Sequence, residues 1–225
     1  MTLSMVCGSA GASPSRAIFN KAKDLKDSRN LLADHMKTQY YTASSLDGFI
    51  ADSENSLDWL FQFDDGPGED YAEFIAAVGA IAMGATTYEW LLEHEIRPGT
   101  DQQKPWPYTQ PSWIFTSREL PRIPDADIRF VRGDVLPVYE AMAAETEGKN
   151  LWIVGGGELV GQFHDRGLLD EIIVTIASVT LGGGAPLLPR RIVSPPLRLI
   201  SVRQIGADFA QLIYAVQKPD VPGFQ

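Results

Sequence analysis

The chain has 225 residues, 44% of them hydrophobic and 21% charged, enough apolar material for a sizeable core, which excludes a wholly disordered protein. A net charge of -10 repels phosphate backbones and anionic lipid, so nucleic-acid and membrane-surface binding are disfavoured. The single cysteine, Cys7, makes no internal disulfide, and no run approaches the roughly 18 apolar residues of a spanning helix, so a soluble cytoplasmic protein is expected.

Residues 1–35 hold five Lys and Arg against three Asp, whereas residues 36–225 hold 14 against 26. The opening GSAGASPS and KAKDLKDSRN segments lack both a core-forming pattern and a signal-peptide apolar run. They read as a poorly ordered extension, with a thin amphipathic helix across 17–32 as the alternative and Met36 as a candidate native start. From Met36 short β-branched and aromatic runs alternate with segments of helical period, an α/β pattern. Strands are expected at 37–44, 79–84, 112–117, 128–131, 150–155, 171–178, 197–205 and 209–217, and helices at 69–77, 85–94, 134–146 and 157–165. The short turn at Gly206–Asp208 makes the last two strands an antiparallel hairpin, so the sheet is mixed. The Pro-rich stretch 97–111 reads as a long surface loop. One domain over 36–219 is expected, with 220–225 as a tail.

Chemistry concentrates at strand-to-helix junctions. In NLWIVGGGELVGQF, residues 150–163, a buried strand runs into three glycines and a helix, where backbone N–H groups can approach an anion. A tight turn is the bland reading, and the G-x-G-x-x-G dinucleotide spacing is not met. AIAMGATTYEWL at 80–91 is a second junction, with Thr86 or Thr87 as a helix cap. Two such junctions in one small domain suit the two ends of an extended anionic cofactor. IFTSRE at 114–119 ends a strand in hydroxyls and Arg118, a candidate phosphate partner, with a solvated loop arginine as the commoner reading. His35, His94 and His164 are isolated, so no zinc site is expected, and no G-x-S-x-G elbow appears. Trp59, Tyr88, Trp106 and Trp113 are candidates to line a flat apolar pocket, with plain core as the competing reading.

Five segments, taken in order, resemble the dihydrofolate reductase superfamily, including the reductase domain of riboflavin-biosynthesis enzymes. They are TASSLDGFIA (42–51), AIAMGATTYEWL (80–91), WIFTSRELP (113–121), WIVGGGELVGQF (152–163) and LLDEIIVTIASVTLGGGAPLLP (168–189). The resemblance implies a mixed, mainly parallel sheet flanked by helices, with NADPH across the carboxyl ends of the central strands. It places backbone at Ala43, Ile50 and Ala51 against the nicotinamide. Gly84, Ala85, Thr86 and Thr87 stand at the phosphates, and Thr116, Ser117 and Arg118 beside the adenosine. Gly155, Gly156 and Gly157 form the pyrophosphate loop, its first two glycines joined by a cis peptide, and Glu158 and Leu159 open the following helix. On the substrate side the resemblance implies Asp70, from the D-x-x-x-F spacing, with Thr175 as partner; a solvated acidic helix start is the competing reading. Asp47 in SLDG is the alternative carboxylate, as in the riboflavin-pathway members, with a strand-end turn aspartate as its competing reading, and Asp58 precedes an aromatic that would cover the site.

Two departures stand out. Ala85 and Thr86 occupy positions where folate-reducing members carry cations for the 2′-phosphate, leaving Arg118 as the obvious one and NADH open beside NADPH. No deaminase zinc ligands are present, so a stand-alone reductase domain is implied. The expected activity is hydride transfer from NAD(P)H to a small planar heterocycle such as a pterin or pyrimidine, in a homodimer. A non-catalytic nucleotide-binding module on the same fold is the alternative, and a purely structural dimerising domain the third reading.

Overall fold

The computed structural model describes residues 36–63 and 69–218. The sequence readings for 1–35, including His35, and for 219–225 lie outside the described residues. Strands β1 (Thr38–Ser45), β3 (Val78–Gly84), β4 (Ser112–Phe115), β5 (Ile128–Val131), β6 (Asn150–Gly155) and β7 (Glu171–Ala177) join β9 (Arg198–Ile205) and β10 (Phe209–Ala215) in one eight-stranded sheet. Its order is β5-β4-β3-β6-β1-β7-β10-β9. The first six strands are parallel, β10 runs antiparallel to β7, and β9 antiparallel to β10. This is the mixed, mainly parallel sheet with a C-terminal antiparallel hairpin that the sequence implies.

The parallel strands are apolar on both faces because helices cover both. Successive side chains of a strand point to opposite faces, and this sorts the core into two clusters. Tyr40, Ala80, Ala82, Leu151, Ile153, Ile172 and Val174 lie in one. Tyr41, Ile81, Met83, Trp152 and Ile173, displaced by one residue each, lie in the other. Val135, Val138 and Met142 of α4 (Val135–Glu145) and Leu159, Val160 and Phe163 of α5 (Gly157–Asp165) close the first cluster. Tyr88, Leu91, Leu92 and Ile96 close the second, joined by Tyr71, Phe74 and Ile75 of α2 (Glu69–Ala76). Their spacings of three and four residues put each set on one helix stripe.

Four features differ from the sequence expectation. A short helix, α1 (Asp58–Phe61), precedes α2. The helix expected at 85–94 is α-helical only over α3 (Ala85–Trp90) and continues as a π-helical turn, Leu91–Ile96, closed by Arg97 in the left-handed conformation (φ 49°). A two-stranded sheet pairs β2 (Phe49–Ala51) with β8 (Ala185–Pro186). The 97–111 stretch lacks helix and strand, yet it is more than a surface loop, because Trp106 and Tyr108 pack against the second core cluster.

Candidate active site

Six parallel strands end on one side of the sheet, and ligands of open α/β sheets bind in the crevice there. A cavity of about 820 Å³ opens at these ends. Two helices start on it. Gly84 precedes α3 and Gly156 precedes α5, both extended (ψ 165° and 176°), and neither helix start receives a side-chain cap. Thr86 and Thr87 therefore stand inside the first turn of α3 and do not cap it. At α4, by contrast, Asp134 caps the helix, its Oδ1 accepting from Leu136 N at 3.0 Å. First-turn N–H groups left without a cap are donors for an anion. The Gly155–Gly156 peptide is cis.

The glycines of this loop do different work. A Cβ at Gly156 would stand 4.0 Å from Ile50 Cδ1, its nearest neighbour, so the position is open towards the cavity. At Gly157 a Cβ would collide with the backbone carbonyls of Pro186 and Leu187. That close approach lets the 185–190 segment cross the start of α5. Arg190 then lies against Gly161, its guanidinium donating to both Glu158 carboxylate oxygens at 2.8 Å and, through Nε, to Asp165 at 2.8 Å. This pairing lowers the Glu158 pKa below the usual carboxylate range. The strap is anchored at its other end by β8 on β2 and by Leu187 N donating to Gly48 O at 2.9 Å.

Ala43, Ile50, Ala51, Gly84, Ala85, Thr86, Thr87, Thr116, Ser117, Gly155, Gly156, Gly157, Glu158, Leu159 and Thr175 all line the cavity. The sequence scatters them over five segments and the fold gathers them. Thr175 is buried, and its Oγ1 accepts from Gln211 Nε2 at 3.4 Å. Asp70 falls in the first turn of α2, but its side chain lies outside the described residues.

Three sets of candidate residues stand apart from the cavity lining. Arg118 does not line the cavity; it is exposed, and its Nη2 pairs with Glu89 of α3 at 2.7 Å. Asp47 does not line it either. Its carboxylate accepts from Ser45 Oγ at 2.6 Å, Leu181 N at 3.1 Å and Gly182 N at 2.7 Å, tying the β1–β2 turn to the 178–184 loop. The Ser45 hydroxyl, with the two amides, holds its pKa below the ordinary value. The third set is the aromatics, of which Tyr88, Trp106 and Trp113 take the plain-core places of the competing reading. Tyr88 is fully buried with Oη donating to Pro121 O, Trp113 lies in the first cluster, and Trp106 donates to Ser112 Oγ, while Trp59 is also absent from the lining. Asp58 opens α1, whose cavity-facing residue is Leu60, with Leu57 just ahead of it.

Sequence reasoning missed Tyr41, Trp90, Tyr108, Trp152 and Arg132, all of which line the cavity. Arg132 follows β5 and is exposed. It makes no ion pair with any described residue. A lone arginine after a strand carries no pattern to mark it. For Tyr41 and Trp152, strict alternation along β1 and β6 was the available signal, since both fall on the α3 face.

The RibD C-terminal domain family matches residues 97–211, about half of the chain. Protein YwjB of Bacillus subtilis (strain 168) is 32% identical over 170 residues, 76% of this chain and 92% of YwjB. Among solved structures, a putative riboflavin biosynthesis protein from Shewanella sp. PV-4 superposes with a TM-score of 0.65 at 24% identity, over 81% of this chain and all of that one. The Thermotoga maritima diaminohydroxyphosphoribosylaminopyrimidine deaminase/5-amino-6-(5-phosphoribosylamino)uracil reductase gives 0.57 at 15% identity, over 82% of this chain and 58% of that one. Enterococcus faecalis dihydrofolate reductase gives 0.51 at 13%, over 80% and 95%. The fold is thus that of the dihydrofolate reductase and riboflavin-pathway reductase group. The chain belongs to the RibD C-terminal domain family.

Proposed function

We propose that the protein is an NADPH-dependent reductase that reduces a C=N or C=O bond of a small planar heterocycle. The observation that carries this reading is the pair of uncapped helix starts, at Gly84 and Gly156, opening on one cavity at the carboxyl ends of the parallel strands. The residues present fit a dinucleotide: the space a Cβ would fill at Gly156 is free for a phosphate, and helix N–H groups border it. Bound NADPH supplies the hydride. The α3 and α5 starts hold the pyrophosphate, and Thr116, Ser117 and Arg132 receive the adenosine end. Backbone at Ala43, Ile50 and Ala51 orients the nicotinamide. The aromatic wall excludes water, and Asp70 with Thr175 moves the proton to the reduced atom.

Arg132 replaces Arg118 as the cation for the 2′-phosphate, because Arg118 is held by Glu89 whereas Arg132 faces the cavity without an ion-pair partner among the described residues. NADPH fluorescence titrated with purified protein is expected to change saturably, with NADH bound more weakly. Arg132→Gln is expected to cost about tenfold in NADPH affinity and leave NADH unchanged. Saturable binding without oxidation of any pterin, pyrimidine or quinone in a broad panel would favour the non-catalytic module. No binding of either nucleotide would end the cofactor reading.

A further inference from the structure

The wall left over once the nucleotide is placed consists of Tyr41, Leu57, Leu60, Trp90, Tyr108 and Trp152, with the Thr175 hydroxyl among them. We infer that this end of the cavity takes a planar ring compound that carries no phosphate, a narrower class than the fold group as a whole accepts. The inference rests on the reductase reading of the same cavity.

Charge carries it. Between Thr38 and Ile96, the segment that forms β1 to α3 and supplies four of those six residues, the chain has no lysine or arginine and twelve Asp and Glu. Among the described residues the cavity lining holds one cation, Arg132, and it lies after β5 with Thr116 and Ser117 of the β4 end, at the opposite end from the aromatic wall. Arg203 lines a neighbouring hollow of about 410 Å³ that shares Tyr41 with this cavity; burial raises the Tyr41 pKa against the smaller lowering effect of the Arg203 charge, and Arg203 Nη2 donates to Gln211 Oε1 at 3.2 Å. Phosphate buried against aromatic and aliphatic side chains, with no guanidinium or ammonium in the described lining at that end, is disfavoured.

The wall also favours a flat, neutral ring positively. Tyr108 and Trp152 meet edge to face at 5.6 Å, and Tyr41 and Trp152 lie 6.5 Å apart, so the aromatic surface is held rigidly by mutual packing. Tyr41 Oη and Trp90 Nε1 are buried without a hydrogen-bond partner. These are neutral groups that a keto or amino substituent on a ring would satisfy.

The test compares matched pairs on the full chain saturated with NADPH: 5-amino-6-(ribosylamino)uracil with its 5′-phosphate, 7,8-dihydroneopterin with its monophosphate, and riboflavin with flavin mononucleotide. Binding is read by quenching of tryptophan fluorescence and by thermal shift, with NADPH affinity measured in the same preparation. The expected result is that the unphosphorylated member of at least one pair binds, and binds at least tenfold tighter than its phosphate ester. Leu57→Arg, which adds a cation to the wall, is expected to narrow that ratio. Phosphate esters bound as tightly or tighter, or no unphosphorylated compound bound at all, would overturn the inference while NADPH still binds. Loss of NADPH binding itself would instead strike the cofactor reading.

Discussion

At Gly156 and Gly157 adjacent glycines separate a ligand role from a folding role. A methyl added at the first would have only Ile50 Cδ1 within 4 Å, inside the cavity, whereas the second glycine is pressed against the carbonyls of the strap. Gly156→Ala is therefore expected to keep the circular dichroism and melting temperature of the parent and to weaken NADPH binding about tenfold or more, because the methyl takes the phosphate's place. Gly157→Ala must displace Pro186 and Leu187, an overpacking cost of about 1–3 kcal/mol. That corresponds to a loss of several degrees in melting temperature for a domain of this size. Equal behaviour of the two variants in paired melting and titration experiments would contradict the division of roles. The same scale explains why Arg118 and Asp47 stand apart from the cavity. Arg118 and Asp47 are engaged by Glu89, 29 residues away, and by the Leu181 and Gly182 amides, more than 130 residues away, and a pattern read locally cannot reveal partners so distant.

Among the elements, the strap from β8 to Arg190 joins the cavity wall to the start of α5. Glu158 places a carboxylate in the first turn of that helix, beside the proposed pyrophosphate, and the bidentate Arg190 guanidinium neutralises it. Removing the arginine leaves Glu158 free to repel the phosphates. Arg190→Ala is therefore expected to weaken NADPH binding by up to about fivefold. The Arg190→Ala/Glu158→Gln double variant is expected to regain most of that loss; a double variant no better than Arg190→Ala would make the strap's role purely structural. The strap also marks where the sequence stopped being legible. The eight strands of the main sheet and α4 and α5 were readable within a few residues, because buried parallel strands and amphipathic helices repeat their signals over a whole window. β2 and β8 have three and two residues, too few for any period, and Phe49 meets Pro186 through a pairing that only the folded chain creates. The π-helical turn after Trp90 and α1 escaped for related reasons, the one sharing the apolar spacing of an α-helix and the other spanning four residues. Within the cavity, the glycine junctions announced themselves by composition, while the aromatic wall did not, since a tryptophan in a core and one in a cavity look alike until the faces are assigned.

Across the whole molecule the sheet ends differently on its two sides. At one edge β5 is a short strand of four residues. At the other, β9 extends for eight residues with nearly every residue exposed, including Leu199 at 51%, Ile200 at 55% and Val202 at 63%. An apolar edge with unpaired backbone groups invites a further strand. Ile200 is the extra residue of a bulge in β9, between Ser201 opposite Ile213 and Leu199 opposite Tyr214, and a second copy of β9 running antiparallel about Ser201 brings it against Val202. We propose this two-fold pairing as the route to the homodimer expected from the sequence; a symmetric contact of this type closes on itself, leaving only the short β5 edges at the ends of the joined sheet. Light scattering coupled to size exclusion is expected to give twice the 24.7 kDa chain mass. Ile200→Lys/Val202→Lys puts four like charges into the contact and is expected to give the monomer, with the helical signal and NADPH affinity retained because β9 lies beyond β10 and β7 from the cavity. A monomeric parent, or a dimer that survives both lysines, would remove β9 from the assembly.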